Sequence, residues 1–395
     1  MWDDILENVD PDDVQIPRRA ISFLLSSENT LSTSSFILAI SYDTDSTSSP
    51  IRSSGELISK DILLGICRNL LVEDQELDIF RMAHFSVHEF FSKKEFSPLV
   101  NHEVALDLYT AILASDDGIE GTSHNNASLT ADIIVNDSNS SEHDVVVRNL
   151  ILHAQIFWIH HIQKFGHEGP QETLKNRVKR FMFNGQSASL ALQLLSTSGY
   201  RTIQNVRRIR RFSKIYEGLL PKLEALKDCS SDMTSLPALL TCVLGLSWLL
   251  NVEEVARHIQ SPVRNDVGDV QITIAANFGY TLLVKYMLDH GYPADLAGRN
   301  KRTALHIAAQ NGYINMTELL VLGGADVNYH ECGSTPLQEA IEKRHLRVIK
   351  ILLDAGADTE IRNSRGENAL LRATSLALNW AGMKRLSRDS SIISK

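Results

Sequence analysis

The sequence predicts a mostly α-helical protein, on three observations. First, a block from Asn300 to Asn328, NKRTALHIAAQNGYINMTELLVLGGADVN, returns from Gly333 to Asp358 as GSTPLQEAIEKRHLRVIKILLDAGAD, with an offset of 32 residues. Second, apolar residues upstream fall at helical spacing, as Ile21, Leu24 and Leu25 do in PRRAISFLLSSE. Third, strand-like alternation is read in a short stretch, Asp78 to Phe85 (DIFRMAHF).

The residue types of the repeated block have physical reasons. Thr303, Leu305, Ala308, Leu319, Leu320 and Gly324 fall on Thr335, Leu337, Ala340, Ile351, Leu352 and Gly356. A Thr at a helix start can cap free amides, and Pro336 suits the first turn because it lacks a donor. Ala308, Ala309 and Ala340 let neighbouring helices approach. Gly312 is expected to close one helix, and Gly324 and Gly356 the next, in left-handed backbone. Leu319, Leu320, Leu352 and Leu353 are expected to bury the second helix. One unit cannot hide these side chains alone, so several must stack.

This pattern resembles the ankyrin repeat, a unit of about 33 residues. Ala275, Ala276, Gly279 and Gly291 extend it upstream, although Val270, Gln271, Ile272 and Thr273 replace the usual turn. Further back, LPALLTCVLGLSWLL (Leu236–Leu250) sets Gly245 one unit before Gly279, and Gly366 to Ala373 begin a last unit. The expected units lie near 236–269, 270–302, 303–334, 335–367 and, in part, 368–380, within a domain spanning 233–395. The resemblance implies protein partners, docking on hairpin tips and on the helix-side surface. The candidate contacts are Arg299, Asn300, Lys301, Tyr329, His330 and Glu331 at the tips, with Gln310, Asn311, Tyr313, Arg344 and His345 beside them.

Composition sets bounds. A net charge of −9 over 395 residues argues against generic binding to nucleic acid or an anionic membrane. Cys67, Cys229, Cys242 and Cys332 lie far apart without a CxxC, as in a reducing, intracellular and cytoplasmic setting. The acidic start MWDDILENVDPDD is neither a signal nor a transit peptide, so the sequons at Asn126, Asn136 and Asn139 carry no weight. The longest apolar run, Leu236–Leu250, falls short of the roughly 20 residues a bilayer needs, and it fits a buried repeat helix.

Residues 1–97 read as a compact helical domain ending in a short strand pair. Helices are expected at Pro17–Glu28, Leu31–Ile40 and Glu56–Val72, with a loop at Tyr42–Ser54. The last helix would bury Leu57, Ile58, Leu63, Leu64, Cys67, Leu70 and Leu71. A turn at Asp74–Glu76, the strand at Asp78–Phe85 and a helix from Ser86 complete the order. The strings LLGICRNLLV and FRMAHFSVHEF resemble the winged-helix domain of fungal NACHT–ankyrin proteins, NLR-like members of the STAND class of P-loop NTPases. The residues carrying this are Leu64, Cys67, Leu70, Leu71, Phe80, Arg81, His84, Ser86, Val87, Glu89 and Phe90. The same winged-helix family bears the label "GPI inositol-deacylase winged helix", which implies no deacylase activity here. The resemblance implies that His84 contacts a bound nucleotide's phosphate; the plainer reading is a helix cap. A P-loop needs GxxxxGK followed by Ser or Thr, and the sequence contains no Gly-Lys pair. The chain therefore reads as the carboxy-terminal half of such an architecture.

A helical connector is expected over 98–232, with helices at 98–114, Val147–Phe165, Thr173–Leu195 and Ile215–Leu226 and a disordered loop at 115–146. Ala154, Trp158 and His161 resemble the "YA…W…H" helix that follows the winged helix in that family. His153, His160, His161 and His167 are spread over about 20 Å of helix and read as surface or capping residues. His84 and His88 stand in HxxxHE order rather than HExxH, without a third ligand, so no metal is expected. GQSAS (Gly185–Ser189) is not a nucleophile elbow. No cofactor and no catalytic residue is assigned. One alternative remains in RTIQNVRRIRRFSK (Arg201–Lys214), a basic run able to hold nucleic acid or an acidic partner.

Overall fold

The structure is a computed structural model that describes residues 15–26, 31–41, 58–68, 70–93, 98–114, 142–166, 168–183, 221, 222, 225, 236–251, 253–260 and 262–376. They belong to two compact units, Met1–Thr234 and Ser235–Lys395.

In the first unit, helices α1 (Gln15–Ser26), α2 (Thr33–Ser41) and α3 (Lys60–Ile66) precede a two-stranded antiparallel sheet, β1 (Leu71–Asp74) and β2 (Ile79–Met82). Then follow α4 (Phe85–Lys93), α5 (Pro98–Ala114), α6 (Glu142–Ile162) and α7 (Glu172–Phe183). Ser32, just before α2, bridges Ile79 of β2. An aromatic chain fills the centre. Phe23 of α1 meets Phe36 of α2 and Tyr109 of α5 edge-on, each at 5.6 Å, and Phe36 meets Phe80 of β2 at 5.3 Å. Residues on both sides of position 97 therefore share one core.

Three expectations are corrected here. The helix expected over Glu56–Val72 is only α3. Ser59 starts it by accepting the Ile62 amide on its hydroxyl at 3.2 Å, and Arg68, at φ +43°, breaks it. Leu71 and Val72 pass into β1 opposite Met82 and Arg81. A short apolar run fits either period, and here the ladder supplies backbone partners that decide it. Secondly, α6 begins at Glu142, inside the stretch expected to be a loop. Thirdly, the histidines of α6 are not surface or capping residues. His161 is 1% exposed and meets His102 of α5; His153 bonds Tyr109. Spacing along one helix said nothing of a facing helix that also carries a histidine. His167 lies outside the described residues.

The second unit is a stack of helix pairs. It runs α8 (Leu236–Leu244), a 3-10 turn (Ser247–Asn251), α9 (Glu253–Gln260), α10 (Gln271–Asn277), α11 (Thr281–Asp289), α12 (Ala304–Asn311), α13 (Ile314–Leu322), α14 (Pro336–Lys343) and α15 (Leu346–Asp354). Residues 369–376 add a last described helical stretch. The first helices pack in the order α8, α10, α12, α14, and the second helices in the order α11, α13, α15. Every residue of α8 is buried, which is why that helix is apolar all round. Ala275, Ala308 and Ala340 are fully buried where first helices touch. Leu320 and Leu352 are buried, but Leu353 is 45% exposed, against expectation. Its counterpart Leu288 packs where a β-carbon on Gly323 of the next repeat would stand, 2.9 Å away. Leu353 has no matching repeat beyond it among the described residues. The end expected near Trp380 lies outside them.

Candidate functional site

Hairpin fingers join the repeats. Three are closed by the same backbone bond: Asn265 N–H to Asp269 O at 2.9 Å, Gly298 N–H to Arg302 O at 2.8 Å, and Asn363 N–H to Glu367 O at 2.9 Å. Each finger needs a left-handed residue one place before its end. Gly268, Gly333 and Gly366 supply it at φ +89°, +89° and +76°, whereas the second finger uses Lys301 at φ +57°, after Asn300 at +60°. Side-chain and backbone bonds stitch the fingers together. Asp269 accepts the Arg299 amide at 2.8 Å, and the Gly333 carbonyl accepts the Ser364 amide at 2.8 Å.

A second set of bonds runs beneath the fingers. Thr335 caps α14 reciprocally: its hydroxyl accepts the Gln338 amide at 3.3 Å, and Gln338 Oε1 accepts the Thr335 amide at 3.0 Å. Gln338 Nε2 then donates to the Ile361 and Glu367 carbonyls of the next finger, at 2.8 and 3.2 Å. His306 holds the equivalent place in α12. Its Nδ1 lies 2.8 Å from the Thr303 hydroxyl, and its Nε2 reaches the Ser334 carbonyl at 3.0 Å. Thr303 thus stands at the helix start as expected, in a capping box with His306, and its hydroxyl also engages the ring. Burial pushes the His306 pKa down to about 4, the Ser334 carbonyl opposing and Arg302 adding to the shift.

Two rows of exposed side chains sit on this frame. At the tips, Arg299, Asn300, Lys301, His330 and Glu331 are exposed. Lys301 Nζ lies 3.6 Å from Glu331 across two fingers, and the His330 ring donates to the Asn328 carbonyl at 2.9 Å. Tyr329 is half-buried, edge-on to His306 at 5.9 Å. On the helix side, Asn311 and Arg344 are exposed and Gln310 is half-buried. Tyr313 and His345 are also half-buried, and they contact the preceding repeat. Tyr313 covers Gly279, and His345 covers Gly312 while its Nε2 meets the Gln310 carbonyl at 3.0 Å. The sequence reading missed the ion pair between Arg302 and Glu339, at 3.4 Å across two repeats. Superposing the units would have placed these two residues on one side.

In the first unit, His84 is exposed and caps α4. Its Nδ1 accepts the Ser86 amide at 3.1 Å and lies 2.8 Å from the Ser86 hydroxyl. The basic run 201–214 and Gly185–Ser189 lie outside the described residues. Among the described residues no three His, Cys, Asp or Glu side chains are placed to hold a metal, and no helix is long and apolar enough to cross a membrane.

Comparison with known proteins identifies the repeats. A family model described as "Ankyrin repeats (3 copies)" matches residues 272–363. The human protein named ankyrin repeat and SOCS box protein 6 is 35% identical over 131 residues, 32% of this chain and 31% of that protein. The mouse B-cell lymphoma 3 protein homolog is 32% identical over 115 residues, 29% of this chain and 26% of that protein. A bovine protein named inactive serine/threonine-protein kinase TEX14 is 35% identical over 108 residues, 27% of this chain and 7% of that protein. The chain thus spans less than a third of the length of each. The carboxy-terminal region carries ankyrin repeats, and such repeats indicate protein partners.

Proposed function

We propose that the repeat region is a non-catalytic platform that grips another protein, inside the cell. The observation that carries this is the row of exposed tips, Arg299, Lys301, His330 and Glu331, on fingers bonded to one another and to the helices beneath. Such a surface is largely formed before binding, so little ordering cost is left to the complex. The wide spacing of the four cysteines, with no CxxC among them, supports a reducing compartment. The test is quantitative affinity capture with the full chain and with an Arg299→Glu/Lys301→Glu/Glu331→Lys variant. Loss of a specific protein from the variant, with unchanged melting, supports the platform. An unchanged set of captured proteins refutes it.

A second reading places the platform in an NLR-like receptor of the STAND class. It is supported by the order of α1, Ser32, α2, α3, β1 and β2, in which Ser32 bridges Ile79 as the first strand of a winged helix would. On this reading, a nucleotide module encoded elsewhere meets the His84 face. Nδ1 is engaged with Ser86, so Nε2 is the nitrogen that would reach a phosphate. An in-frame Walker A segment upstream of the coding sequence would favour this reading, and its absence from the transcript would end it.

A further inference from the structure

Four histidines and a tyrosine meet between α5 and α6. His102 Nδ1 lies 2.8 Å from His161 Nδ1, and His153 Nε2 lies 3.0 Å from the Tyr109 hydroxyl. The His160 and His161 ring centroids are 5.3 Å apart, and His102 and His160 are 6.0 Å apart. His160 Nε2 is buried without a hydrogen-bond partner among the described residues.

The 2.8 Å contact holds one proton. With both rings neutral, one nitrogen donates and the other accepts. A ring carrying protons on both nitrogens can still donate to a neutral partner, but two such rings place N–H against N–H. Among the described residues, the groups facing the cluster do not compensate the added charge. Lys164, just past α6, acts on His102, His160 and His161 and is itself positive. The carboxylates of α5 are engaged with the α7 region: Glu103 accepts the Gln171 amide, and Asp107 pairs with Arg177. The other charged residues of α7 are Glu172, which pairs with Lys175 at 3.5 Å, together with Lys179 and Arg180. Helix α1 brings only Arg18 and Arg19, and α2 brings no ionisable side chain. The charged residues at the start of α6 lie more than a turn from His153.

We propose that the α5–α6 contact is a proton-operated latch. The neutral His102–His161 pair closes it, and protonation of the cluster opens the first unit while the ankyrin repeats stay stacked. The electrostatics agree. Burial, with the neighbouring positive charges adding, pushes His102 and His160 down to about 4, and burial alone takes His153 to about 3. His161 is lowered in the same direction. Free histidine titrates near 6.5, so the unfolded chain takes up these protons first as pH falls. Closure is therefore fully favoured above about pH 6.5 and lost below it, steeply because several sites act together. Among the described residues the repeats carry one comparably buried histidine, His306, and lose less.

The test is hydrogen–deuterium exchange on the full chain at pH 7.5 and pH 5.0, corrected for intrinsic exchange rates. Protection in α5 and α6 should drop by at least about 100-fold, and that in α12 to α15 by no more than about 30-fold, the limit for one site. A His102→Leu/His161→Leu variant removes two of the four sites, and its drop in α5 and α6 should shrink by about 10-fold or more. Should that variant fail to fold, urea unfolding of the first unit within the wild-type full chain at pH 7.5, 6.5 and 5.5 gives the proton count from the slope of its free energy against pH, expected above one. Protection in α5 and α6 that holds at pH 5.0, or a proton count of one or less, overturns the latch.

Discussion

The imidazole of His345 occupies the space that a β-carbon on Gly312 would need. Such a carbon would stand 2.6 Å from His345 Nδ1, and Gly312 is itself left-handed at φ +73°. Tyr280 stands over Gly245 in the same way, and Tyr313 lies more loosely over Gly279, 3.3 Å from such a carbon. Each glycine is thus fixed twice, by its own backbone and by the ring of the next repeat. Gly312→Ala should cost about 2–3 kcal/mol, combining left-handed strain with a displaced ring and its bond to the Gln310 carbonyl. Gly324→Ala meets nothing within 4 Å and should cost only about 1 kcal/mol. Urea melts of the repeat unit would show the difference. Equal losses at the two sites would mean that the ring contact contributes nothing.

Lys301 takes the left-handed place that glycine fills in the other fingers. Lys301→Gly should raise stability by about 0.5–1 kcal/mol, because the strain exceeds what the exposed pair with Glu331 contributes. The same substitution should weaken partner capture, since it deletes a tip charge. A variant both less stable and equally able to bind would contradict both halves.

His306 makes the repeats pH-dependent with a definite sign. Its folded pKa lies below its unfolded value, so its contribution is complete above about pH 6.5 and is lost as pH falls towards 4. The loss should reach on the order of 3 kcal/mol. His306→Gln, which copies Gln338 in the next repeat, should keep the cross-repeat bond and flatten this slope. Urea midpoints for both proteins between pH 7.5 and 4.5 decide the matter.

Much of the second unit was legible in the sequence. Its units share residue types at fixed offsets, and most small, left-handed and capping positions hold the residues that suit them, Lys301 being an exception. The ring-over-glycine contacts were hidden because they join residues one repeat apart, and Tyr313 and His345 look like ordinary surface side chains. In the first unit, Leu70 to Val72 suited a helix or a strand equally, and only pairing with Ile79–Met82 settled it. The histidine cluster was invisible because His102 and His161 come from separate helices.

Burial also separates neighbouring leucines. Leu305→Ala and Leu352→Ala should each cost about 2–5 kcal/mol, both side chains being fully buried. Leu353→Ser, at a half-open site, should cost less than about 1 kcal/mol. A large loss at Leu353 and a small one at Leu352 would reverse the helix register.

Lysine-directed cross-linking of the full chain to its captured partner bears most directly on the platform. Lys301 at a finger tip and Lys343 at the end of α14 should carry the links, while the exposed outer-helix lysines Lys285 and Lys350 should not. Links confined to Lys285, Lys350 or the first unit would place the partner elsewhere and contradict the proposed gripping surface.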